Sequence, residues 1–280
     1  MFVLCPLTIL LFVFAGTASA QSIRIPWSNY GHDVQHTAIS PIASQPLNRI
    51  LWQTPVDLNP QYSGEDLYIH YGSPLVTRTN TIIVPVKTGA NDGFQVEGRS
   101  ATTGDLKWTQ TTNYSVPASV WTPSFPVALT PKNRLYLAGP GGTVYYRDNP
   151  DATSGAVTGQ IAFYGLANYT ANSTTYNNNV RINTPITSDR YGNIFFGFYV
   201  TGTTPLNLHS GIARISQDGT GSWVSASAMA GDAEIIKVVH NCAPALSNDH
   251  KILYVAVSDA DPANNVDSGV GYLVSIDSRT

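Results

Sequence analysis

The sequence predicts an all-β fold, a β-propeller of four-stranded antiparallel blades, and three observations predict it. A proline opens a short apolar strand four times: Ser73-Pro74-Leu75-Val76, Phe125-Pro126-Val127-Ala128, Thr184-Pro185-Ile186-Thr187 and Ala243-Pro244-Ala245-Leu246, at intervals of 52, 59 and 59 residues. Eight or nine residues after each proline comes a more hydrophobic run: Ile82-Ile83-Val84, Leu135-Tyr136-Leu137, Ile194-Phe195-Phe196-Gly197-Phe198 and Ile252-Leu253-Tyr254-Val255. Composition is the third: 12% charged residues with 23 Gly and 18 Pro suit strands and tight turns better than helices with paired surface charges. A period of ~40–60 residues built from short strands and turns is a blade repeat.

The first 20 residues read as a leader. Val3 to Phe14 is apolar but too short to span a bilayer, and Ala18-Ser19-Ala20 supplies small residues for cleavage after Ala20. The n-region lacks Lys and Arg. The chain is therefore expected to be secreted or periplasmic, starting at Gln21. Residues 21–48 form an N-terminal clasp segment, and blades occupy 49–280.

Within the blades, a strand over 49–56 precedes units at about 71–110, 121–164, 182–226 and 241–280. In the first, Pro74 opens strand A, Ile82 to Val86 is strand B and Phe94 to Ser100 strand C, entered by the Asn91-Asp92-Gly93 turn. The Thr102-Thr103-Gly104 turn leads into strand D at Leu106 to Thr109. In the second, Gly139 to Gly142 joins B to C, and Thr158-Gly159 is read as the turn before strand D at Ile161 to Tyr164. The third has strand C at Gly211 to Ser216 and Trp223-Val224 after a Gly-rich turn. The fourth runs through Gly271 to Asp277 into the turn signal of Asp277-Ser278-Arg279-Thr280. Two closures are compatible with this order: a four-bladed ring that Arg49 to Thr54 completes, or an open arc of a larger propeller. The break inside a turn signal favours the second. Asn168 to Asn179, rich in Asn, Thr and Ser, is read as a long exposed loop.

The Thr-Gly-x-x-x-Trp turns resemble those of the pyrroloquinoline-quinone-type repeat propellers. Ser100-Ala101-Thr102-Thr103-Gly104-Asp105-Leu106-Lys107-Trp108 matches best, with Ser100 where that family usually has Asp. Asp277 to Thr280 matches the first half of the motif, and Trp27-Ser28-Asn29-Tyr30-Gly31-His32-Asp33-Val34-Gln35-His36-Thr37 resembles the opening of exported members. Phe163 stands where the second repeat would carry Trp. The resemblance implies that Trp52, Trp108 and Trp223 are structural rings docking on adjacent blades.

The resemblance also implies where chemistry would be. Quinone-dependent dehydrogenases of the family use a catalytic Asp, a calcium held by Glu, Asn and Asp, and commonly a Cys-Cys disulfide. Only Cys242 follows the leader, and the glutamates beyond it are Glu65, Glu97 and Glu234, in no pattern that aligns with that site. No catalytic residue and no cofactor are assigned; pyrroloquinoline quinone and calcium, with oxidation of alcohols or sugars, belong to the alternative reading. Asp259, Asp261 and Asp267 lie in an oxygen-rich loop of the kind calcium takes, without EF-hand spacing. His32 and His36 stand four apart, but Gly31 precedes them and no third ligand follows, so they are read as part of a structural clasp. Cys242 reads as a half-buried small hydrophobe. Asn113-Tyr114-Ser115, Asn168-Tyr169-Thr170 and Asn172-Ser173-Thr174 are glycosylation triplets.

A net charge of −3 offers no electrostatic footprint for nucleic acid, and no later segment is apolar enough for a membrane span. The leading expectation is an exported binding, interaction or scaffold module. Its ligand would be a protein or carbohydrate taken at a propeller face.

Overall fold

Every blade rests on an up-and-down sheet; its second strand is buried on both faces in blades one to three and alternates between buried and exposed in blade four. A computed structural model describes residues 25–42, 46–63, 66–68, 72–89, 93–115, 125–260 and 269–279. The leader, Glu65, Asp261, Asp267 and Thr280 lie outside them. A hairpin of β1 (Gln61–Ser63) and β2 (Asp66–Tyr68) precedes the blades. Blade one is β3 (Leu75–Val76), β4 (Thr81–Lys87), β5 (Phe94–Ser100) and β6 (Leu106–Thr111), paired in that order. Blade two is β7 (Val127–Leu129), β8 (Arg134–Ala138), β9 (Thr143–Asp148) and β10 (Thr158–Ala162). Two helices, α1 (Leu166–Ala171) and α2 (Ser173–Asn179), then lead into blade three.

Blade three has a broken inner strand. Both β11 (Val180–Ile182) and β12 (Thr187–Ser188) pair with β13 (Ile194–Val200), which pairs with β14 (Gly211–Ile215) and then β15 (Gly221–Ser225). Pro185, which lacks an N–H, sits in the break, where the register slips. After α3 (Ala226–Ala230), blade four repeats the device: β16 (Lys237–Val238) and β17 (Ala245–Leu246) flank Pro244 and pair with β18 (Ile252–Ser258), followed by β19 (Gly271–Asp277). All pairings between these strands are antiparallel. The fold is an all-β propeller arc of consecutive blades.

Burial explains the sequence pattern. β4 and β13 read as near-continuous apolar, largely buried runs, whereas the outer β6 buries only Trp108. The core divides along blade interfaces, one cluster joining blades one to three and a second joining blades three and four around Phe195, Val238 and Leu253. Contact only with neighbours makes stability a sum of such interfaces. The four turns between first and second strands are copies of each other. Asn80, Asn133, Gly192 and His250 take left-handed φ and donate back three residues to Thr77, Thr130, Asp189 and Ser247.

The N-terminal segment straps the arc. Trp27 exchanges two backbone hydrogen bonds of 2.9 Å with Val76, and Leu129 N donates to the Ser28 carbonyl at 2.8 Å. Ser188 N donates to Asn29 Oδ1 at 2.7 Å, and Leu246 N to the Val34 carbonyl at 2.9 Å. Val76, Leu129, Ser188 and Leu246 are the last residues of the four inner strands. Residues 27–34 thus tie every blade at the equivalent point. His36 finishes the strap, with Nδ1 2.6 Å from the Tyr30 carbonyl and Nε2 2.9 Å from that of Pro244.

Four expectations change. Residues 49–55 form no strand: their backbone pairs with no described residue, because no third blade strand lies beside them. Thr158-Gly159 lies inside β10; the turn before it runs from Asn149 to Gly155, both left-handed, and is closed by Asp148 N donating to the Val157 carbonyl. Residues 168–179 are largely helical, since Tyr169 and Tyr176, seven apart, fall on one buried face, and Tyr176 stacks on Tyr164 at 4.4 Å. Cys242 is exposed, in the segment between the two halves of the broken inner strand.

Candidate functional site

In an up-and-down blade the loop between second and third strands and the loop leaving the fourth emerge at the same end. At that end the chain gathers Tyr114, Arg181, Asn183, Tyr199, Lys237 and His240.

Tyr114 follows β6 and is fixed by an aromatic triad. Its ring lies 5.2 Å from Phe94 and 5.3 Å from Phe125, which are 5.0 Å from each other. The ring is 2% exposed, yet its hydroxyl has no hydrogen-bond partner. Burial raises the phenol above its ordinary range, opposed by the charge of Arg181. Arg181 sits in β11 opposite Tyr199 in β13. Burial lowers its guanidinium, while Tyr114 and Tyr199 raise it. It makes one long contact to Thr201 Oγ1 at 3.4 Å and no ion pair with a described carboxylate.

Asn183 holds the other side. Its Nδ2 donates to the Val238 carbonyl at 2.8 Å and reaches His240 Nδ1 at 3.1 Å. An amide nitrogen only donates, so Nδ1 accepts and the neutral ring carries its proton on Nε2. Burial first, then the charge of Lys237, depresses His240 to about 3. Its ring meets Tyr199 edge-on at 5.1 Å. Gly197 in β13 makes room for this strap: a Cβ there would lie 2.6 Å from both Asn183 Oδ1 and Thr184 Cγ2. With the imidazole neutral, Arg181, which has no described carboxylate partner, gives this end positive charge, which favours an anionic group.

The residues singled out from sequence lie elsewhere. Trp52 Nε1 donates to the Ala101 carbonyl at 2.9 Å, its ring over Gly104, whose φ of +76° and lack of Cβ allow the approach. Trp108 Nε1 donates to the Pro150 carbonyl at 2.7 Å, with Arg147 stacked 4.2 Å from its ring. Trp223 meets Phe198 edge-on at 5.8 Å and lines a cavity of about 130 Å³ with Leu253, Ile276 and Ser278 between blades three and four. A wider cleft of about 820 Å³ opens between blades two and three, lined by Ile161, Phe163 and Gly219 to Trp223. His32 Nδ1 lies 3.3 Å from Asp33 Oδ2. Asp259 has a buried Oδ1 without a partner.

This cluster does not suit calcium. Its side chains are cationic, neutral imidazole or phenol rather than carboxylate, and the buried acids of blade one are engaged: Glu97 by Arg99 at 2.7 Å and Asp57 by Lys87 at 3.4 Å. No group of three His, Cys, Asp or Glu side chains suited to a metal occurs among the described residues.

Sequence reasoning missed Tyr114, Arg181, Asn183, Tyr199, Lys237 and His240. The available signal was modest: in a chain of low charge, Arg181 and Lys237 each stand a few residues before a strand-opening proline.

No family model and no curated protein matches the chain. Among solved structures, it is similar to a luciferin-regenerating enzyme, at 14% identity and a TM-score of 0.37 over 74% of this chain and 60% of that one. It is also similar to BamB from Moraxella catarrhalis, at 13% identity and a TM-score of 0.38 over 76% of this chain and 57% of that one. The chain thus spans about three fifths of the length of these structures. Neither likeness bears on what the chain does.

Proposed function

We propose that the chain is an exported binding or scaffold propeller that holds an acidic group of a partner protein at the cluster of Tyr114 and Arg181. Export rests on the leader over residues 1–20. The observation that carries the binding reading is the pairing of a buried, unsatisfied Tyr114 hydroxyl with the charge of Arg181, which has no described carboxylate partner. A buried polar group without a partner costs about 1–3 kcal/mol, a cost that an incoming carboxylate offsets by accepting from both. Such a group recurs in natural proteins where a ligand completes it.

Fluorescent peptides with acidic side chains, titrated against the purified chain, test the reading. Binding should weaken at high salt and fall at least tenfold in Arg181→Gln, with the far-ultraviolet spectrum unchanged. Failure of the parent chain to bind acidic peptides, or equal binding of a lysine-rich control, would falsify it.

A further inference from the structure

Three Asn-x-Ser/Thr triplets are candidate acceptors for an N-linked glycan in an exported chain: Asn113-Tyr114-Ser115, Asn168-Tyr169-Thr170 and Asn172-Ser173-Thr174. The fold treats them differently. A glycan adds to Nδ2 of the first residue, and the transferring enzyme also reads the hydroxyl of the third. Both groups must therefore be clear of the protein. The acceptor must also stand outside a helix, where residues two apart do not face each other.

Two triplets fail these conditions. Asn113 accepts through Oδ1 from the Tyr145 hydroxyl, and its middle residue is the Tyr114 ring that Phe94 and Phe125 hold in the interior. A glycan there would also stand beside the cluster of Tyr114 and Arg181. Asn168 lies inside α1, where its Nδ2 donates to the Tyr164 carbonyl at 2.7 Å. The Thr170 hydroxyl donates to the Leu166 carbonyl at 2.9 Å, so amide and hydroxyl are both engaged by backbone.

Asn172 meets them. It separates α1 from α2 with φ −139° and ψ 34°, outside the helical region. Asparagine is among the best capping residues, yet this side chain makes no capping bond to α2. Asn172 and Thr174 are both exposed, and neither side chain bonds to a described residue. We propose that Asn172 is the N-glycosylation site of the chain, an inference that rests on the export reading. Its Nδ2 forms a bond to C1 of an oligosaccharide carried on a polyprenyl pyrophosphate. The bond from C1 to the pyrophosphate oxygen breaks, the lipid pyrophosphate leaves, and the amide gives up one proton to solvent.

Expressed with its own leader in a eukaryotic cell that glycosylates secreted proteins, the chain should reach the medium carrying one glycan. Peptide-N-glycosidase should remove it and leave aspartate at position 172, which peptide mass spectrometry reads. Asn172→Gln should abolish the glycan, and so should Thr174→Ala, which keeps the acceptor amide; Asn113→Gln and Asn168→Gln should retain it. Three results would overturn the proposal: a secreted chain without a glycan, a glycan only at Asn113 or Asn168, or full occupancy of Asn172 in Thr174→Ala. Where the native leader fails to export, residues 21–280 behind a host leader decide. A glycan at Asn172 then overturns the export reading alone, and its absence overturns both. Acidic peptides titrated against the deglycosylated chain test the binding reading separately.

Discussion

Trp108 of the outermost strand of blade one donates from Nε1 to the Pro150 carbonyl of blade two at 2.7 Å, across a blade boundary. Arg147 of blade two lies over the same ring. Trp108→Ala removes a buried aromatic and leaves the Arg147 face without its partner, so it should cost about 3–5 kcal/mol in urea unfolding. Trp223 is 37% exposed, and Trp223→Ala should cost clearly less. Equal costs would show that Trp108 does not join its blades.

The strap depends on Asn29, whose Oδ1 accepts from both the backbone and the hydroxyl of Ser188, at 2.7 and 3.2 Å. Asn29→Ala leaves a buried Ser188 N–H without an acceptor and should cost about 1–3 kcal/mol. Hydrogen exchange should locate the loss at the inner strands, with Ser188 losing protection first. Unchanged protection there would remove the strap from the stability of the arc.

Lys87 is almost fully buried against Asp57, at 3.4 Å, and also donates to the Asn59 carbonyl. Asp57→Ala leaves that ammonium in the interior without its counter-charge, with an expected cost of about 3–5 kcal/mol. Pairing Asp57→Ala with Lys87→Met should recover part of the loss, which a double-mutant cycle reads directly.

His240 gives the arc a pH dependence of known sign. Its folded value of about 3 lies below its ordinary 6.5, so the unfolded chain takes up the proton first. Stability from keeping the ring neutral is present above about 6.5 and is lost as pH falls toward about 3. Carboxylates titrate in part of the same window, so the comparison is with His240→Gln, whose stability should fall less steeply between those limits. Parallel slopes would mean that the ring protonates freely in the folded arc.

Some of what the structure adds was written in the sequence. Tyr169 and Tyr176 stand two helical turns apart, a spacing outweighed by the Asn and Thr around them. Asn80, Asn133 and His250 stand six or seven residues after their prolines, in turns that require left-handed residues. Thr158-Gly159 misled because a Thr-Gly pair is also compatible with a strand, and only the Tyr146–Gly159 register separates the two.

The sequence by itself determined the repeat: apolar second strands, proline-opened inner strands and turn residues at fixed intervals, because these follow from local backbone preference and from burial between neighbours. Only the tertiary structure decided what crosses the repeats. Val34 meets Leu246, Asn29 meets Ser188, and Arg181 comes under the influence of Tyr114 from blade one. Such contacts depend on how blades curve about an axis, a property that no residue spacing encodes.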